Sequence, residues 1–191
     1  MELFELKDGW ILYEKEFYDK HRADELFSEL NAKVNWQQGK VKLFGKTHLI
    51  PRLEAFYSLN GETYSYSNTE LIPNTYFDSL TKIHLFIEAK TDCTFNSVLA
   101  NYYRDGNDSN GWHTDNEKEL GNNPVIASLS FGTERRFDLK HNLTKEKISF
   151  NLSHGSLLIM GGSLQHNWKH TIAKAKKIEK DRINLTFRKI V

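Results

Sequence analysis

Apolar residues along this chain change rhythm as the chain proceeds, and the changes divide it. Over residues 1–16 they alternate loosely (Leu3, Phe4, Leu6, then Trp10, Ile11, Leu12, Tyr13), which predicts one or two short strands. Asp19 then stands where an N-cap belongs, ahead of Ala23, Leu26, Phe27 and Leu30 at helical spacing, so a helix is expected over roughly 20–34. Residues 35–72 are less regular. Within them Val41-Lys42-Leu43-Phe44-Gly45-Lys46 reads as a hairpin arm with a turn at Gly45. Pro73 opens a second helix over about 74–90, with Phe77, Leu80, Ile83 and Ile87 on its buried stripe.

From residue 94 onward the pattern is one of short strands and turns. Strands are expected at Phe95–Tyr103, Val125–Phe131, Arg136–Lys140, Ile148–Leu152, Ser156–Met160, near 166–170, and at Ile183–Ile190, with a polar loop from Asp105 to Gly111. Seven or eight short strands with no helix between them suggest a β-sandwich or jelly roll. No repeat, low-complexity tract or linker interrupts the 191 residues. The expected architecture is a single domain of the α+β class, mainly β. It is a double-stranded β-helix (jelly roll) with two N-terminal supporting helices.

Composition narrows the function classes without choosing one. The net charge of +1 gives no global field that would announce nucleic acid, although a local basic groove is compatible with it. A single cysteine, Cys93, excludes an intramolecular disulfide framework and suits a reducing compartment. No apolar run approaches a membrane span, and the start of the chain, with Glu2 and Glu5, lacks the features of a signal peptide. A cytoplasmic monomer that does not engage membranes is the expectation.

The chemistry begins at His113-Thr114-Asp115. A histidine and a carboxylate two apart on a strand point the same way, where one small cation can bridge them. One further histidine would complete the two-His, one-carboxylate set that holds non-haem Fe(II) with positions left open. Two late histidines compete, His166 and His170, and spacing alone does not choose between them. The stretch Arg182–Arg188 alternates strictly, with Ile183, Leu185 and Phe187 on one face and Arg182, Asn184, Thr186 and Arg188 on the other. That polar face suits solvent if the strand lies at an edge. In a barrel interior its two arginines would instead suit a dicarboxylate, or serve different partners, because their Cα atoms lie about 20 Å apart on a flat strand. Earlier, Lys33, Lys40, Lys42, Lys46 and Arg52 mix with Tyr57, Tyr64 and Tyr66, a combination that suits base stacking and phosphate contact as well as ordinary packing.

These motifs, taken in order, resemble a known family. Asn101-Tyr102-Tyr103-Arg104-Asp105-Gly106, Gly111-Trp112-His113-Thr114-Asp115-Asn116-Glu117, Ile126–Gly132, His154–Met160 and Arg182–Ile190 resemble the AlkB family of Fe(II)- and 2-oxoglutarate-dependent dioxygenases, with the duplex-DNA repair homologues most similar. The resemblance covers at least residues 95–191 and, more weakly, 41–67. It implies a jelly-roll catalytic core over 93–191 and a nucleotide-recognition and helical support region over 1–92. It also implies His113, Asp115 and His170 as iron ligands and catalytic residues, with O2 as the oxidant. Asn101, Tyr103, Arg182, Asn184 and Arg188 would line the 2-oxoglutarate site, with Arg182 at the distal carboxylate and Arg188 near the C1 carboxylate.

By the same resemblance Leu43, Phe44 and Gly45 look like an apolar finger inserted into a base stack. Tyr64 and Tyr66 look like the walls of a lesion pocket, Arg52 like a nucleic-acid contact, and Glu117 like an acid near the base edge. Asn116 departs from the second acid often found there. The implied activity is oxidative demethylation of 1-methyladenine and 3-methylcytosine in DNA, releasing formaldehyde and succinate. The enzyme would then work wherever the DNA is, at a nucleoid or in a nucleus. Methylated RNA suits the same surfaces, and a nucleic-acid-binding β-barrel without catalysis is the rival from another class.

Overall fold

A computed structural model describes residues 1–191 apart from Phe44, Ser67 and Asn68, and apart from the side chains of residues 42–44 and 64–70. The chain opens with a hairpin, β1 (Glu2–Leu6) and β2 (Gly9–Glu14), turned at Asp8 with its φ at 62°. Helix α1 spans Lys20–Lys33, capped as expected by the Asp19 carboxylate, which accepts from the Arg22 N–H at 2.8 Å. A second hairpin follows, β3 (Gln37–Leu43) and β4 (Lys46–Ser58), with Gly45 at φ 77° in the turn between them. The short pair β5 (Tyr64–Tyr66) and β6 (Thr69–Leu71) precedes α2 (Asp78–Thr91).

The second helix starts four residues later than the sequence pattern suggests. Asn74 is held extended against β4, its N–H and its side-chain amide both donating to the Phe56 carbonyl at 2.7 and 3.0 Å. The helix can begin only once the chain is clear of that anchor, and Phe77 becomes its N-cap residue. Its stripe of Leu80, Ile83 and Ile87 is buried as expected.

The remaining strands are β7 (Ser97–Tyr103), β8 (Asn110–His113), β9 (Ile126–Gly132), β10 (Arg135–His141), β11 (Lys147–Leu152), β12 (Leu157–Gly161), β13 (Trp168–Ile172) and β14 (Arg182–Arg188). Eight of the strands form a major sheet in the order β1-β2-β12-β9-β14-β7-β4-β3, and four form a minor sheet in the order β11-β10-β13-β8. Both N-terminal hairpins therefore extend the same sheet as the later strands. Helices α1 and α2 cover its outer face, packing Ala23, Leu26, Leu30, Leu80, Ile83 and Ile87 on Leu129, Phe131, Ile183, Leu185 and Phe187. A second apolar cluster, including Phe56, Leu99, Phe137, Leu139, Met160 and Trp168, fills the space between the two sheets. This is the expected jelly roll with its two supporting helices.

Strand β14 decides where the chemistry lies. It is a central strand, paired with β9 on one side and β7 on the other, and all seven of its residues are buried. Its apolar face meets the helices and its polar face meets the other sheet. The solvent-facing alternative for Arg182, Asn184, Thr186 and Arg188 is thus excluded. Register sets further polar groups beside them, with Arg182 opposite Tyr103, and Asn184 opposite Asn101 on β7 and Ser130 on β9.

Candidate active site

Strands β8 and β13 pair antiparallel so that His113 lies opposite His170, their ring centroids 4.2 Å apart. The competitor His166 sits in the short helix α3 (Leu164–Asn167) and is exposed, so the fold itself separates the two histidines. Asp115 is not on the strand that carries His113, because β8 ends at that residue. Its placement comes from Gln165, a fully buried side chain whose Oε1 accepts the Asp115 N–H at 3.0 Å. The bend brings the Asp115 carboxylate inward, with Oδ1 3.9 Å from His113 Nε2. One ligand atom from each of His113, Asp115 and His170 lies within 4.8 Å of the others.

The protonation states suit a divalent cation. His113 Nδ1 lies 2.8 Å from the Gly111 carbonyl, which can only accept, so the proton sits on Nδ1 and the Nε2 lone pair points inward. Burial pushes the His113 imidazolium to lower pKa, and burial together with the neighbouring His113 pushes His170 down to about 3. Burial alone would raise the Asp115 carboxyl. The Arg188 guanidinium, 3.1 Å from Oδ2, outweighs it with help from the two histidines and holds the carboxyl at about 2. Two neutral imidazoles and one ionised carboxylate are the forms that bind a metal. Among the described residues, Asp115 Oδ1 is buried on the His113 side and has no hydrogen-bond partner, which is the state of a ligand atom facing an ion.

An interior cavity runs from this cluster to Arg182 and is lined by Asn101, Tyr103, Asn184 and Arg188 among others. Arg182 is 1% exposed. Its Nη2 donates to Ser130 Oγ at 2.9 Å, and its guanidinium sits 5.2 Å over the Tyr103 ring. Its Nε and Nη1 have no hydrogen-bond partner among the described residues, and burial lowers its pKa to about 10, so it is still charged at neutral pH. A buried guanidinium with no carboxylate partner among the described residues and two donor nitrogens to spare fits an incoming carboxylate. The cavity therefore suits a dicarboxylic acid that reaches from the cluster to Arg182.

The other expected cosubstrate residues lie on this wall, already partly engaged. Asn184 donates to Ser128 Oγ at 2.8 Å and to the Leu129 carbonyl at 3.0 Å. Asn101 Oδ1 accepts from Arg52 Nε at 2.7 Å. That contact revises Arg52, which belongs to the basic surface on sequence grounds but is 3% exposed. It bridges the interior cavity to a second, outer one of about 240 Å³, lined by Arg52, Glu54, Ser109, Trp112 and His113 among others.

Glu117 is half-buried where the short 3-10 helix Lys118–Leu120 begins, and Asn116 is exposed. Gly45 is exposed at its hairpin tip, and nothing lies within 4 Å of where a Cβ would be. The side chains of Leu43, Phe44, Tyr64 and Tyr66 lie outside the described residues. Sequence reasoning missed Gln165 and Arg135. The latter is buried on β10, donates to the carbonyls of Asp105, Asp108 and Ala173, and lies 5.6 Å over the face of Tyr103. No spacing rule points to Gln165, whereas the period of β10 places Arg135 on the same face as Phe137 and Leu139.

Comparison with known proteins agrees with this geometry. The model of the 2OG-Fe(II) oxygenase superfamily matches residues 11–188. The chain is 39% identical over 185 residues to the human DNA oxidative demethylase ALKBH2, covering 91% of this chain and 71% of that protein. It is 39% identical over the same length to the mouse alpha-ketoglutarate-dependent dioxygenase alkB homolog 3, covering 91% of this chain and 64% of that protein. The chain thus spans about two thirds of the length of these relatives. The solved structure of OsALKBH1 superposes with a TM-score of 0.63 at 17% identity over 97% of this chain and 100% of that one, a likeness of fold. With a His113, Asp115 and His170 cluster in its interior, the chain belongs to the AlkB family of Fe(II)- and 2-oxoglutarate-dependent dioxygenases.

Proposed function

We propose that this chain is a DNA oxidative demethylase that removes N-methyl groups from 1-methyladenine and 3-methylcytosine. One observation carries the reading: His113 is a wall common to both cavities, so a group in the outer cavity lies against the ligand cluster of the inner one. The relatives' names, DNA oxidative demethylase among them, support DNA as the substrate.

His113, Asp115 and His170 would hold Fe(II) through the atoms that converge in the cluster. Arg182 receives the distal carboxylate of 2-oxoglutarate, with Tyr103 beneath it and Asn101 and Asn184 on the wall, and Arg188 stands at the metal end. When bound, iron and 2-oxoglutarate would supply, with O2, the oxidant that converts the N-methyl group to a hydroxymethyl group, the cosubstrate being released as succinate and carbon dioxide. The hydroxymethyl group then departs as formaldehyde, returning the electron pair of its C–N bond to the base. An N-methyl group on an aromatic ring is a poor target for hydrolysis, which is why oxidation is used. The protein's residues ligate, clamp the cosubstrate and present the base. Arg188 keeps Asp115 ionised, and Gln165 and Gly111 fix the directions in which Asp115 and His113 face.

Tyr64, Tyr66 and Glu117 are assigned to the flipped base, Leu43, Phe44 and Gly45 to the gap it leaves, and Arg52 to the wall between base and cosubstrate. Methylated bases pair poorly, which lowers the cost of extruding them. Residues 1–191 act as one domain, with residues 1–92 contributing recognition and support and residues 93–191 the core. The enzyme is taken to act as a monomer. No described helix is long and apolar enough to cross a membrane.

The test is reconstitution with Fe(II) and 2-oxoglutarate under argon, followed by oxygen and oligonucleotides bearing either lesion. Formaldehyde release and a mass loss of one methylene are the expected results on DNA. Faster turnover of the matching RNA would reassign the substrate, and no lesion-dependent turnover on either would overturn the reading.

A further inference from the structure

The outer cavity has an acid in its wall that neither the metal cluster nor the cosubstrate uses. Glu54 lies on β4 opposite Asn101 of β7, so the register turns it to the inner face of the major sheet. It is 8% exposed, and its Oε2 has no hydrogen-bond partner among the described residues. Arg52 Nη2 is 4.0 Å from Glu54 Oε2, beyond hydrogen-bond distance, while Arg52 Nε and Nη1 are directed to Asn101 Oδ1 and the Ser109 carbonyl. Burial raises the Glu54 pKa and Arg52 only partly offsets this. A carboxyl kept in such a place without a full partner costs stability, and the cost calls for a use.

The neighbouring backbone is built to accommodate that carboxyl. The β3–β4 pairing slips between Gln38 and Lys40, and the Gln38 side-chain amide donates to the carbonyls of Ile50 and Arg52 across the slip. Gly39 falls at this point, and a Cβ there would come within 2.2 Å of Glu54 Oε1. Only glycine leaves room for the carboxyl in its observed place.

We propose that Glu54 selects positively charged methylated bases over neutral ones, its carboxylate balancing the charge that methylation places on the ring. This inference rests on the demethylase reading above and adds the residue that discriminates among lesions. Methylation at a ring nitrogen that is normally an acceptor, as in 3-methylcytosine and 1-methyladenine, gives a cation. Methylation at a nitrogen that normally carries hydrogen, as in 3-methylthymine and 1-methylguanine, leaves the base neutral. With Glu54 ionised the Arg52–Glu54 pair is neutral overall, in a cavity wall that also carries Lys40. Without that charge Arg52 and Lys40 remain in the wall, and a cationic base meets like charge.

The experiment compares the Fe(II)- and 2-oxoglutarate-loaded wild type with Glu54→Gln, which preserves shape. Binding to single strands carrying 3-methylcytosine or 3-methylthymine is read by fluorescence anisotropy under argon, and kcat and KM are then read in air. The preference of the wild type for the cationic base should fall by roughly 10- to 100-fold in Glu54→Gln, the range for losing a charge-assisted contact. The change should lie in Kd and KM, with kcat nearly constant, because Glu54 is not part of the ligand cluster. Gly39→Ala should move the preference the same way, and Glu54→Asp should retain part of it. The melting temperature of Glu54→Gln should equal or exceed that of the wild type. A preference unchanged in Glu54→Gln, or a variant that no longer folds, would overturn the assignment of Glu54 while leaving the demethylase reading intact. Failure of the wild type to turn over either base would overturn both.

Discussion

The two ends of β14 carry the same side chain in opposite circumstances. At one end Arg188 meets a carboxylate of the protein itself, Asp115, at 3.1 Å. At the other, Arg182 meets a hydroxyl and an aromatic face, and no carboxylate of the described residues pairs with it. The first arginine completes an internal pair that keeps the Asp115 carboxylate ionised. The second is complete only when an anion arrives. A strand read as one polar stripe therefore holds two devices, one closed within the fold and one open to a ligand.

The widest gap between the two ends should appear when each is broken. Asp115→Ala removes a ligand and leaves Arg188 buried beside an emptied position. Turnover should fall on the order of 1,000-fold or more, and the metal-free protein should lose about 3 kcal/mol, measured by denaturant titration. Arg182→Met should do the reverse to stability. Removing a buried cation without a counter-charge should leave the cosubstrate-free protein as stable as the wild type, or more so by about 1 kcal/mol. The KM for 2-oxoglutarate should nonetheless rise by roughly 30-fold or more, as for truncating one side of a buried charged contact. Loss of stability in Arg182→Met would show that this end is closed as well.

A smaller effect is expected at Gln165, which touches neither iron nor cosubstrate. Gln165→Leu removes the acceptor that turns Asp115 inward, so metal affinity should weaken by about 10-fold, read by competition with a chelator. The mildest test uses pH on the metal-free protein. His170 is held at about 3 in the fold, well below its ordinary value, so the unfolded chain takes up a proton first as pH falls. The associated stability is full above roughly pH 6.5 and is lost progressively as pH drops toward 3. Asp115, held at about 2, adds a further loss below about pH 4 with the same sign. In His170→Gln the part of this slope between pH 6.5 and 4 should flatten.

The sequence made much of this legible because strand periodicity survives folding. Helix α1 and its Asp19 cap, the hairpin turn at Gly45 and the alternation of β14 are local patterns, and each appears in the structure close to where it is expected. What the residues alone left open was non-local. Whether the polar face of β14 met water depended on β14 being central rather than at an edge, a fact of strand order. The choice of His170 over His166 depended on a four-residue helix ending one residue before β13. Arg52 looked like surface charge until the β4–β7 pairing brought it beneath Asn101. Gln165 and Glu54 act through contacts 50 and more residues away, or through a glycine on the neighbouring strand, and no spacing along the chain encodes either.

The central position of β14 also bears on how the protein is made. Synthesis reaches residues 182–188 only after β1–β13, yet this strand fills the gap between β9 and β7. Until it arrives, a nascent chain exposes two unpaired strand edges and the apolar residues of β7 and β9 that belong beneath α1 and α2. Such pairings between residues distant in sequence close slowly and leave the intermediate prone to association. Because β14 also supplies Arg182 and Arg188, the step that completes the sheet also completes the wall of the interior cavity.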